Sequence, residues 1–144
     1  MKVKDILKVK GNIALSITPD TMIFDALYLM SEKNVGALLV MENEKLVGIF
    51  SERDYARKII LKGRTSLDTE VREIMTEDVF TVTQEETIDQ CMILMSGKRI
   101  RHLPVLQGSE VVGVISIGDV VKFIIEEQET VIEHFKVYIS GTSS

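Results

Sequence analysis

One segment of this chain is written twice, and the repetition constrains everything around it. Val47-Gly48-Ile49-Phe50-Ser51-Glu52-Arg53-Asp54 returns as Val112-Gly113-Val114-Ile115-Ser116-Ile117-Gly118-Asp119, displaced by 65 residues (48 to 113). Each copy holds a Gly, a short apolar run and then S-x-x-D. The apolar run reads as the end of a buried strand, and S-x-x-D as the start of a helix. A helix start exposes unpaired N–H groups and the positive end of the backbone dipole, which suits phosphate. The Asp carboxylate can accept hydrogen bonds from two hydroxyls at once. The two corners together read as a nucleotide site.

The same offset of 65 holds well beyond the corners. Thr18 matches Thr83, Ile23 matches Ile88, Leu29-Met30-Ser31 matches Leu94-Met95-Ser96, and Lys33, Leu38 and Val40 match Lys98, Leu103 and Val105. An ungapped repeat through loops as well as core points to duplication, because loops drift in length first. Each copy predicts strand, helix, strand, strand, helix. In copy one these are Ile13–Thr18, a helix carrying Ile23, Ala26, Leu27 and Met30, a hairpin of Val35–Met41 with Leu46–Phe50, and a helix from Ser51 to about Gly63. In copy two they are Val79–Thr83, Ile88–Met95, the hairpin Ile100–Leu106 with Val111–Ile115, and a long helix from Ser116 to a stop at Gly141. A helical lead-in over Met1–Lys10 is echoed by Val71–Met75.

A unit of about 60 residues buries too little surface to stand comfortably alone. Two units, residues 1–66 and 67–125, are therefore expected to face each other across an approximate twofold axis, sharing one core and forming two equivalent clefts. Residues 126–144 extend the last helix. Val131, Ile132, Phe135 and Ile139 give it more apolar surface than one small module needs, which reads either as packing onto its own domain or as a dimer contact.

Composition removes several classes of function. A net charge of −5 argues against a nucleic-acid or acidic-membrane binder. The single cysteine, Cys91, excludes an internal disulfide; its counterpart is Ala26, so it reads as a small core residue. No stretch reaches about 18 uncharged apolar residues, and Met1–Asp5 opens no cleavable leader, so a cytoplasmic setting is expected. The two histidines, His102 and His134, lie far apart, and no cluster has metal-ligand spacing, so no metal is expected. Phe50-Ser51-Glu52 is not a nucleophile elbow, and neither Gly108-x₄-Gly113 nor Gly113-x₄-Gly118 continues as a P-loop. An enzyme is not expected.

Ile17-Thr18-Pro19-Asp20, Ile100-Arg101-His102-Leu103-Pro104-Val105 and the two G-x-x-S-x-x-D corners occur in order and at fixed spacing. Together they resemble a tandem pair of cystathionine-β-synthase (CBS) domains, from about Val3 to about Ile125. The resemblance implies a mixed α+β (or α/β) fold of two βαββα repeats in a stand-alone regulatory protein, commonly a flat homodimer, whose clefts bind adenosine-containing ligands. It implies that Asp54 and Asp119 hold the ribose hydroxyls, with Ser51 and Ser116 near ribose or phosphate. Backbone around Ile17-Thr18 and Val82-Thr83 would meet the adenine edge, and Ile49, Val114, Val35 and Ile100 would supply apolar walls. Arg101, His102 and Arg53 would stand on the phosphate side.

Copy one departs from that pattern. It has Gly36-Ala37-Leu38-Leu39 where copy two has Arg101-His102-Leu103-Pro104. The clefts are thus unequal, and the Asp119 cleft is favoured; Gly118 there also permits closer backbone approach. Strand alternation turns only one of Arg101 and His102 toward the cleft, and Arg101 is preferred for its planar, always-charged fork. The expected function is a non-enzymatic sensor of adenine nucleotides, with AMP the leading ligand and ADP, ATP or NAD(H) behind it, signalling to a protein partner. The alternative is a ligand-independent dimerisation scaffold. S-x-x-D pairs are also ordinary helix caps, each contributing roughly 0.5–2 kcal/mol. Carboxylates turned from the groove, or a groove filled by the protein's own side chains, would count against the nucleotide reading.

Overall fold

Val3, Ile6 and Leu7 recur about a turn apart and are buried on one side of helix α1 (Val3–Lys10), with Asp5 in its first turn and Lys8 and Lys10 in its last, each matching the backbone dipole. Gly11, at φ 95°, ends it. The computed structural model describes residues 1–143, with side chains to residue 139. After α1 come β1 (Ser16–Ile17), α2 (Ile23–Lys33), β2 (Ala37–Glu42), β3 (Lys45–Ser51) and α3 (Glu52–Tyr55), which widens into a π-helical turn over Ala56–Ile60. A 3₁₀ turn at Val71–Glu73 opens the second half, followed by β4 (Val82–Thr83), α4 (Ile88–Lys98), β5 (His102–Gln107), β6 (Glu110–Ser116) and α5 (Ile117–Ser143).

The two halves form separate three-stranded sheets, ordered β1-β2-β3 and β4-β5-β6. In each, a parallel pair precedes an antiparallel hairpin, and the registers coincide at the offset of 65: Ile17 faces Val40 as Val82 faces Val105. Even the irregularity repeats, between Val40 and Met41 and between Val105 and Leu106. The expected strands Ile13–Thr18 and Val79–Thr83 shorten to two residues each. Leu15 and Phe80, just upstream, still pack against the two cores, whereas Ile13 is 74% exposed. Nor does α5 stop at Gly141; it runs through to Ser143. A glycine ends a helix where the chain turns left-handed, and otherwise it costs the helix about 1 kcal/mol.

The buried side chains fall into two clusters, not the single shared core expected. The first joins Ile23, Ala26, Met30, Leu38, Val40, Phe50 and Ile59 to Val71 and Ile74. The second joins Ile88, Cys91, Met95, Leu103, Val105, Ile115, Val120 and Phe123 to Val3, Ile6 and Leu7. Each half is thus completed by the lead-in that precedes the other. Backbone bonds fix the exchange: Val3 N–H donates to Glu86 O (2.9 Å) and Ile88 N–H to Met1 O (3.0 Å), while Ile23 N–H donates to Thr69 O (2.9 Å) and Val71 N–H to Thr21 O (2.8 Å). The duplicated glycines serve this packing. A Cβ on Gly113 would stand 2.7 Å from Leu7 Cδ2, and one on Gly48 would stand 2.7 Å from Met75 Sδ and 3.0 Å from the Thr76 carbonyl oxygen.

Candidate functional site

Both S-x-x-D corners form at a strand-to-helix junction, and both are capping boxes. Ser51 ends β3 with extended backbone; its Oγ accepts from Asp54 N–H (3.2 Å), and Asp54 Oδ2 accepts from Ser51 N–H (3.0 Å). Ser116 ends β6 likewise, with Oγ accepting from Asp119 N–H (3.2 Å) and Asp119 Oδ2 from Ser116 N–H (2.8 Å). Glu52 N–H donates to Gly36 O (3.1 Å) and Ile117 N–H to Arg101 O (2.8 Å), so each helix start is also sewn to the beginning of the neighbouring strand.

What covers each carboxylate differs. Asp54 is buried, at 7% exposure. Its Oδ1 accepts from the Thr76 hydroxyl (3.0 Å) and pairs with Lys58 Nζ (3.1 Å), and Oδ2 also takes the Ser51 hydroxyl (3.1 Å). Thr76 main chain closes the strand edge beside it, since Ile49 and Thr76 exchange N–H···O bonds of 2.9 Å in both directions. This corner is filled by the protein's own groups, against the expectation of an open groove.

The equivalent strand position in the second corner is Val114. Its carbonyl accepts from Lys10 Nζ (2.8 Å), and the same ammonium lies 2.7 Å from Asp119 Oδ2. The Asp119 side chain is 26% exposed. Burial raises its pKa, but the Lys10 and Ser116 hydrogen bonds outweigh that and hold the carboxyl below its usual range. Asp119 is therefore an ionised acceptor at a helix mouth, covered by one flexible side chain.

The remaining predicted residues are divided. His102, not Arg101, turns inward: its ring is 3.5 Å from where a Gly36 side chain would begin, whereas Arg101 is exposed. A neutral ring tolerates burial better than a guanidinium does, so the half-buried place goes to His102. Burial first, then Lys10, lowers the His102 pKa; Asp119 pulls it up and Arg101 adds to the lowering. Arg53 reaches away from its own corner to donate to Arg99 O (2.6 Å), at the C-terminal end of α4 where a cation is favoured. Ile17, Val35, Ile49, Ile100 and Val114 are half-buried, Thr18 and Thr83 exposed, and Val82 lies in the second core. Thr18 hydroxyl donates to Asp20. At Gly118 an added Cβ would meet only Ser116 Oγ, at 3.6 Å.

Two depressions on the surface, of about 390 and 340 Å³, have neither Asp54 nor Asp119 in their walls; the first, beside the start of α3, is lined by Val35, Gly36 and Glu52, and the second by Leu46, Val79 and Leu106. Sequence reasoning missed Lys10, Lys58 and Thr76. Lys10 and Thr76 reach their carboxylates from distant segments. Only Lys58, four residues after Asp54, carried a local signal. Among the described residues no group of His, Cys, Asp and Glu is placed to hold a metal ion, and no helix is long and apolar enough to cross a membrane.

A profile of the CBS domain matches this chain twice, at residues 3–61 and 71–126. The chain belongs to the CBS-domain family. It is 42% identical to the mitochondrial CBS domain-containing protein CBSX3 of Arabidopsis thaliana over 148 residues, covering 96% of this chain and 72% of that one. Among solved structures it resembles a CBS-domain protein from Burkholderia ambifaria described as a candidate signal-transduction protein. That likeness has 46% identity and a TM-score of 0.86, covering 89% of this chain and 96% of the other. It also resembles the CBS pair of MJ0100 solved with 5′-methylthioadenosine and S-adenosyl-L-methionine. There the identity is 27% and the TM-score 0.77, covering 88% of this chain and 98% of that one. The mixed fold of two repeats, each a three-stranded sheet with helices, is that of a CBS pair.

Proposed function

We propose that this CBS pair is a non-enzymatic regulatory module that binds an adenosine-containing ligand at the Asp119 corner, with AMP as the leading ligand and ADP, ATP or NAD(H) as relatives of it. One observation carries the reading: an ionised, partly exposed carboxylate stands at a helix mouth with the Lys10 ammonium over it. A sugar diol offers that carboxylate two hydrogen bonds, and the helix start offers N–H groups to an anion. The MJ0100 pair, with its two adenosine compounds, supports the ligand class. His102, Arg101 and Ser116 would serve the anionic end, Val114 and Ile100 the walls, and Val82 and Thr83 the base edge. The Asp54 corner is proposed as structural, giving one ligand per chain. Binding would couple α1 to the second half and so alter a surface read by a partner protein. The cytoplasmic setting remains part of this proposal, since the Arabidopsis relative bears a mitochondrial name.

The test is thermal denaturation with AMP, ADP, ATP, NAD and adenosine on three proteins. At a hundredfold excess over its dissociation constant, a ligand stabilises the fold by about 2.7 kcal/mol. Wild type should shift with AMP, Asp119→Ala should not, and Asp54→Ala should start lower yet still shift. A flat response of wild type to every adenosine compound rejects the reading. The alternative, a ligand-independent homodimer scaffold, draws on the exposed apolar residues Val131, Ile132 and Phe135 of α5.

A further inference from the structure

Lys10 closes the last turn of a helix whose buried side belongs to the second core, and it touches a corner 109 positions further along the chain. Asp119 Oδ2 has two lone pairs. The Ser116 N–H takes one at 2.8 Å and the Lys10 ammonium the other at 2.7 Å. A diol that grips both carboxylate oxygens must therefore displace Lys10. The lysine can comply, because its side chain is 36% exposed and rides on a flexible four-carbon stem. The Val114 carbonyl loses the same donor at that moment.

The fate of the displaced ammonium decides which ligands the corner accepts. A neutral thioether at the 5′ position gives it no anionic partner, so the ion pair with Asp119 is lost without replacement. A phosphate there lets it exchange one anion for another through a charge-assisted hydrogen bond. The surroundings favour that exchange, since Arg101 adds a second positive charge near His102.

We propose that Lys10 is the specificity-determining residue of the Asp119 corner, selecting adenosine ligands that carry a phosphate. This deepens the ligand reading above and rests on it. Titration calorimetry of the full chain with AMP and with 5′-methylthioadenosine, which keeps the base and the diol but has no phosphate, separates the two ideas. Wild type should prefer AMP by about tenfold or more, the worth of one charge-assisted hydrogen bond. Lys10→Met keeps an unbranched, helix-forming side chain and removes the charge. It should weaken AMP by about tenfold and leave the thioether ligand unchanged or tighter, since nothing then has to be displaced; Lys10→Arg should restore most of the preference. A preference for AMP that survives in Lys10→Met, or equal weakening of both ligands, overturns the role of Lys10 while leaving the corner a site. Failure of wild type and variants to bind either compound overturns the role of Lys10, and a flat response to ADP, ATP and NAD as well overturns the ligand reading with it.

Discussion

A carboxylate covered by a lysine and one covered by a half-buried hydroxyl and a closing backbone segment answer differently to competition. Removing Asp54 takes the acceptor from the half-buried Thr76 hydroxyl and Ser51 N–H and ends the ion pair with the partly exposed Lys58, so Asp54→Ala should act on stability. Asp119→Ala should act chiefly on ligand response. His102 adds a pH dependence whose sign is fixed. Its folded pKa lies below the ordinary 6.5. Between those two values the unfolded chain carries the extra proton, so stability rises with pH in that window and is lost as pH falls below about 6.5 toward the folded value. Asp119, held below 3.8, titrates beneath that window; its contribution disappears only at more acid pH, as the folded value is passed. Circular-dichroism melting curves across this range should slope less for His102→Gln than for wild type, and identical slopes would contradict the buried neutral ring. Cys91 behaves as its Ala26 counterpart suggested: it is fully buried, with burial pushing its thiol up to about 11.

The hairpins were legible because alternation and the duplicated corners locate them independently, and the paired registers fall where the offset of 65 puts them. The π-helical turn after α3 was not. It depends on bonds shifted by one residue, such as Leu61 N–H to Ala56 O, which leave no mark on apolar spacing. The purpose of the duplicated glycines was equally hidden, because Leu7 and Met75 press on Gly113 and Gly48 from segments distant in the chain. That contact grades two substitutions. Gly48→Ala drives its Cβ toward the Thr76 backbone oxygen and should cost about 1–3 kcal/mol. Gly113→Ala meets only the movable end of Leu7 and should cost less; equal urea midpoints would contradict this ranking. Along α5, Val121, Ile125, Ile132 and Phe135 are 40, 50, 53 and 63% exposed and follow a four–three spacing once Gln128 is counted between them. That is the spacing a pair of such helices would use. Under the proposed homodimer, truncation after Ile125 should turn dimer into monomer in sedimentation, whereas a monomeric full-length chain would remove the proposal.

At the scale of the whole molecule, the exchange of lead-ins ties two separate cores into one fold. Sequence proximity assigns Val3, Ile6 and Leu7 to the first half, and only long-range packing reveals that they belong to the second. A chain lacking residues 1–11 should therefore lose hydrogen-exchange protection first in β5 and β6, while β2 and β3, completed by Val71 and Ile74, hold longer. Equal loss in both sheets would contradict separate cores. The arrangement also sets a schedule for synthesis. Helix α1 has no resting place until Ile115, Val120 and Phe123 have followed it, so its apolar side stays bare while the whole first half is made. The first half can close as soon as Ile74 emerges; the second waits for its strands and α5 to reach the helix that preceded them.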